Sequence, residues 1–149
     1  MKYNDASKIF LLCLSSLLLM ACAPKADTLT ILHTNDTHSQ VEPIAAGKRD
    51  GNHAGYARRL GVIQQERAAD PNLTLVDAGD FCQGTPYFNF YHGRVEIDAM
   101  NRMGYDAITL GNHEFDNGVD TLATILKNAQ FAVVSANYNV LGTPLEGIV

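Results

Sequence analysis

Three short clusters hold the residues most able to do chemistry: Asp36-Thr37-His38, Gly79-Asp80, and Gly111-Asn112-His113-Glu114-Phe115-Asp116. Asp36 and His38 lie two apart, so in an extended segment both side chains point the same way and can grip one cation. Gly79 lets the chain turn sharply and push the Asp80 carboxylate forward. A helical turn starting near His113 would bring the Asp116 carboxylate against its imidazole and hold the ring. Carboxylates, imidazoles and an amide form the donor set of a divalent-metal site. A zinc-protease helix is excluded, because the position four after His113 is Asn117. Each cluster alone has a bland reading as a surface accident, a tight turn or a capped helix start.

The elements that must carry these clusters give them weight. Residues 29–32, 73–76, 107–110 and 131–134 are short apolar runs rich in β-branched residues and bounded by polar or turn residues, a pattern that predicts strands. Helical stripes lie between them. Tyr56, Leu60 and Ile63 form the first, stopped by Asp70-Pro71. Val95, Ala99, Met100 and Met103 form the second, closed by Gly104 as a C-cap. Val119, Leu122, Leu126 and Ala129 form the third. Strand–helix repetition of this kind means an α/β fold of βαβ units, with parallel strands and helices packed on the sheet. In open α/β sheets, sites form beyond the carboxyl ends of strands. The three clusters follow strands one, two and three.

In that order and at those places, the clusters resemble the calcineurin-like metallophosphoesterase superfamily. The longer stretches 31–38, 55–60, 79–85 and 104–118, together with Ser135-Ala136-Asn137, are similar to bacterial 5'-nucleotidases and 2',3'-cyclic-nucleotide phosphodiesterases. The resemblance implies a metallophosphoesterase sandwich and hydrolysis of nucleotide phosphate esters by a hydroxide activated between two divalent ions, Zn, Mn or similar. It also implies that Asp36 and His38 bind the first ion, that Asp80 bridges both, and that Asn112 binds the second. His113 would stabilise the transition state and the leaving oxygen, with Asp116 orienting it. A carboxylate between two cations lowers their repulsion, which makes the bridging role physically sensible. No substrate-binding residue is named by these motifs.

Other residues carry less. His33 has side-chain parity opposite to Asp36 and reads as structural. His53 falls in a glycine-rich loop, and His92 follows an aromatic-rich segment, Pro86–Tyr91, that reads as loop. Asp77 and Glu114 read as supporting or turn residues, and Cys82 as a packed thiol. Arg58 and Arg59 read as the solvent face of the first helix.

The first residues stand apart from the fold. Residues 9–20 are almost wholly apolar, the length of a signal core and too short to span a bilayer. They end in Leu19-Met20-Ala21-Cys22, which resembles a bacterial lipobox. The expectation is a signal peptide over 1–21, lipid attachment at Cys22, a tether over 22–28 and the catalytic domain from 29 to 149. An exported protein held at the cell envelope by its lipid follows from that reading. The 5'-nucleotidases carry two further histidine motifs and a C-terminal nucleoside-binding domain that this sequence lacks. The chain therefore reads as the first half of its catalytic domain.

Composition sets the outer bounds. The 149 residues are 46% hydrophobic, a globular proportion, with 11 Lys+Arg against 16 Asp+Glu. A net charge of −5 without basic runs argues against nucleic-acid binding. Two alternatives stay open at this point. One is a related hydrolase with a non-nucleotide substrate, disfavoured by the intact Gly111-Asn112-His113-Glu114. The other is a lipoprotein with a binding role that has lost catalysis.

Overall fold

The computed structural model describes residues 28–149. The expected signal segment and Cys22 lie outside the described residues. Four parallel strands, β1 (Ile31–Thr34), β2 (Thr74–Asp77), β3 (Ala107–Ile108) and β4 (Ala132–Val133), form one sheet in the order β1-β2-β3-β4. Helix α1 (Tyr56–Ala69) joins β1 to β2. Helices α2 (Pro86–Tyr91) and α3 (Arg94–Met103) join β2 to β3. A single 3-10 turn (His113–Phe115) and α4 (Val119–Leu126) join β3 to β4. The predicted α/β architecture of parallel strands and crossover helices is the one observed.

Register decides which side chains meet the helices. Leu32, Leu75, Ile108 and Val133 share one face, because Leu32 pairs with Leu75, Asp77 with Ile108, and Ile108 with Val133. That face joins Ile63 of α1, Ile97 and Met100 of α3, and Leu122 of α4 in the core. Alternation along the strands sends Ile31, His33 and Ala132 to the opposite face, where they are exposed. His33 thus stands away from the site, as its parity required.

Several boundaries differ from the sequence reading, each for a physical reason. Strands one and two extend past their apolar runs to Thr34 and Asp77. These polar residues stay in the ladder because they satisfy one another. Thr34 Oγ1 donates to Asp77 Oδ2 at 2.5 Å and lies 2.7 Å from the Tyr105 hydroxyl. Strands three and four are shorter than predicted, at two residues each. The segment read as aromatic loop is α2. Thr85 is extended before it and Pro86 opens it, a residue whose fixed φ suits the first helical position. In α3, Val95 is only half-buried, and Glu96 and Ile97 take the core positions beside Met100 and Met103. Gly104 caps this helix in the left-handed conformation, as expected. Arg58 is exposed, but Arg59 is half-buried, its guanidinium 4.9 Å from the centre of the Tyr56 ring.

Candidate metal centre

The carboxyl ends of β1, β2 and β3 deliver three loops to one edge of the sheet. Gly79 (φ 101) ends β2's path and turns it into Asp80, itself left-handed at φ 52. A side chain on Gly79 would stand 2.6 Å from the Gly111 backbone nitrogen, so only glycine lets these two loops meet. The β1 loop docks on the β2 loop through main-chain bonds. Asp36 N–H donates to the Gly79 carbonyl (3.1 Å), His38 N–H to Asp80 (3.0 Å) and Ser39 N–H to Phe81 (2.9 Å).

Glu114 locks the other two loops together. Its buried carboxylate accepts from the backbone N–H groups of Asp80 (3.0 Å), Cys82 (3.0 Å) and Gly111 (2.6 Å). Asp80 Oδ1 in turn accepts the His113 N–H at 3.0 Å. Beneath them, the buried Asp77 carboxylate accepts the Gly79 N–H at 2.9 Å. Burial pushes the Asp77 carboxyl up to about 6, against the pull of its Thr34 and Gly79 hydrogen bonds. Both acids support the loops, the roles their sequence positions suggested. Cys82 is buried, and burial holds its thiol far above the ordinary value.

The result is a convergence of His38, Asp80 and His113, whose ligating atoms all lie within 4.8 Å of one another. The two imidazoles meet edge to face, with ring centres 5.1 Å apart. His113 Nδ1 lies 2.8 Å from Asp116 Oδ2. That hydrogen bond raises the His113 imidazole above its ordinary value and leaves Nε2 as the ring's other face to the site. The predicted turn at His113 is therefore formed, as 3-10 helix, and it brings His113 and Asp116 together.

Asp36 and Asn112 are placed less tightly. Asp36 is exposed, 3.9 Å from His38 Nε2, with its other oxygen accepting from Asn35 at 2.8 Å. It stands outside the three-residue convergence. Asn112 precedes the 3-10 turn with its side chain exposed and makes no capping bond. The donor chemistry fits a divalent ion: two imidazoles and a carboxylate already converge, with a second carboxylate at the rim. His38, Asp80 and Asp36 would hold one ion, and Asp80 with Asn112 would contribute to a second.

Sequence reasoning missed two contributors. Glu96 is wholly buried behind the β1 loop, where its carboxyl accepts the Ser39 hydroxyl. Its spacing to Met100 and Met103, four and seven residues, was a legible sign that it shares their buried face. The Tyr105 hydroxyl, which closes the Thr34–Asp77 network, had no such signal.

Residues 29–144 match the family model described as Calcineurin-like phosphoesterase. The chain is 49% identical over 119 residues to a snake venom 5'-nucleotidase of Naja atra, a match covering 76% of this chain and 22% of that protein. It is 44% identical over 143 residues to a 5'-nucleotidase of Rattus norvegicus, covering 92% of this chain and 25% of that one. The crystal structure of a 5'-nucleotidase precursor from Thermus thermophilus superposes with a TM-score of 0.72 at 44% identity. That superposition covers 80% of this chain and 24% of the other. The chain thus spans about a quarter of the length of these relatives. With that family model matched over most of its length, the chain belongs to the calcineurin-like phosphoesterase family.

Proposed function

We propose that the protein is a metal-dependent phosphohydrolase of the 5'-nucleotidase type, acting on phosphate esters of nucleotides. The observation that carries this reading is the convergence of His38, Asp80 and His113, with His113 backed by Asp116. Asp36 and His38 would hold one divalent ion, Asp80 would be shared with a second, and Asn112 would help to hold that second ion. When bound, the ions supply Lewis-acid charge for the phosphate oxygens and make water nucleophilic at neutral pH. The residues do the rest. Asp116 holds the His113 ring, whose Nε2–H donates to the oxygens that gain charge as the ester bond breaks. Left-handed Asp80 keeps its carboxylate forward, because Gly111 leaves room for it.

The substrate class rests on the relatives named 5'-nucleotidase. The test is nucleoside monophosphate hydrolysis by the full-length protein, beside its Asp80→Ala variant, with metal content measured on both. Hydrolysis by the native protein and loss of both ions and turnover in the variant are expected. Near-normal turnover with two ions per chain in Asp80→Ala would overturn the bridging role.

We also propose that the protein is exported and held at the cell envelope by lipid on Cys22. The support is the lipobox-like end of the apolar run, Leu19-Met20-Ala21-Cys22. Mass spectrometry of the mature N-terminal peptide should find acylated Cys22. A free N-terminus starting at Pro24 would refute it.

A further inference from the structure

His38 and Ser39 both have left-handed backbones, at φ 45 and 50. Neither residue is glycine, so the conformation costs energy and persists only where its surroundings impose it. The restraints concentrate on Ser39, which is fully buried. Its N–H donates to the Phe81 carbonyl at 2.9 Å, and its own carbonyl accepts the Thr85 hydroxyl at 2.9 Å. Its hydroxyl donates to Glu96 Oε1, from the first turn of α3.

Glu96 is an expensive choice for that place. It has no exposed surface, and its second oxygen, Oε2, meets no hydrogen-bond partner among the described residues. No Lys or Arg among the described residues pairs with it. An apolar side chain would sit more cheaply beside Ile97, Met100 and Met103. Among the described residues, the carboxyl's hydrogen bond to another side chain goes to the residue next to His38.

We propose that Glu96 is a positioning residue, whose buried carboxyl acts through the Ser39 hydroxyl to fix the turn that aims the His38 imidazole at the metal position. The proposal rests on the metallohydrolase reading above. Burial raises the Glu96 carboxyl above its ordinary value, while the bond from Ser39 pulls the other way. An acceptor for the Ser39 hydroxyl can be imitated by an amide oxygen but not by a hydrocarbon.

The experiment compares the full-length protein with Ser39→Ala, Glu96→Gln, Glu96→Leu and the Ser39→Ala/Glu96→Leu double variant. Two quantities are read: amide hydrogen exchange at His38 and Ser39 after chelation, and Mn(II) affinity by calorimetry. Ser39→Ala and Glu96→Leu should each speed exchange at these amides and weaken Mn(II) binding by roughly 10- to 100-fold, the usual cost of losing an outer-shell partner. The double variant should lose no more than either single one, because both remove the same link. Glu96→Gln should keep both properties near native. Native-like Mn(II) binding and exchange in Ser39→Ala would overturn the proposal, as would a Glu96→Gln variant as damaged as Glu96→Leu. Should Glu96→Leu fail to fold, Ser39→Ala and Glu96→Gln decide alone. A native protein that takes up no Mn(II) would instead bring down the metallohydrolase reading, while the exchange rates would still report whether Glu96 holds the turn.

Discussion

The loops after β2 and β3 are braced by side chains, whereas the Asp36 end of the loop after β1 is not. Glu114 gathers three backbone N–H groups from the first two loops, and Asp80 takes a fourth from His113. Asp36 has its neighbour Asn35 and a distant approach to His38. Asp80 and His113 are therefore set in place by folding alone, at no cost when a ligand arrives. The Asp36 carboxylate is free to be drawn in by an ion. Preorganisation is uneven across the site, and the unevenness follows one buried glutamate.

Removing that brace should have the largest effect. Glu114→Ala leaves three N–H groups without their acceptor, that of Cys82 buried and those of Asp80 and Gly111 half-buried. It should cost roughly 3–5 kcal/mol of folding stability, measured by urea denaturation. Asp36→Ala, on the exposed side, should change stability by no more than about 0.5 kcal/mol while still weakening metal uptake. Equal destabilisation by the two substitutions would erase the distinction between the loops.

The next test lies within the braced pair. His113→Ala should lower turnover of the full-length protein by roughly 10²–10⁴-fold with its metal content retained, the range for one positioned acid or oxyanion donor. Asp116→Asn removes the charge that steadies the ring and should give a smaller loss of the same kind. Loss of an ion in His113→Ala would make His113 a ligand alongside His38 and Asp80.

How much of this was legible depended on what each residue's neighbours in sequence could reveal. Strand existence, helix stripes and the three polar clusters were readable, because apolar periodicity and the order of Asp36, Asp80 and His113 are local properties. The strand ends were not. Thr34 and Asp77 continue the ladder bonded to each other, and the hydroxyl that reaches Thr34 comes from Tyr105, far along the chain. Helix α2 was hidden by its length, since six residues show no period. Glu96 was passed over because a charged residue in an amphipathic helix ordinarily faces water. Its partner Ser39 is 57 residues away.

The smallest expected effect concerns that same network beneath the loops. Asp77 has its carboxyl raised from 3.8 to about 6 by burial. The folded protein therefore holds this proton more tightly than the unfolded chain. The contribution to stability is greatest below about pH 4 and is lost as pH rises through 6. Asp77→Asn can keep bonds to both Gly79 and Thr34 while removing the titration. Stability measured from pH 4 to 7 should lose up to one proton's worth of slope in this variant, and an unchanged slope would show that Asp77 is not its source.

Gly111 lies outside the left-handed region, so nothing in its backbone demands glycine. A β-carbon there would nonetheless stand 2.1 Å from Asp80 Oδ1. The constraint is one of volume, imposed by a neighbouring carboxylate on a loop 31 residues earlier in the chain. In mutational terms, position 111 is tied to Asp80, although it has no side chain to contribute. One added methyl group would press on the Asp80 carboxylate and would also stand 2.7 Å from the Asp80 backbone nitrogen, whose N–H Glu114 holds. A substitution at this position therefore disturbs the proposed metal position and the Glu114 brace together.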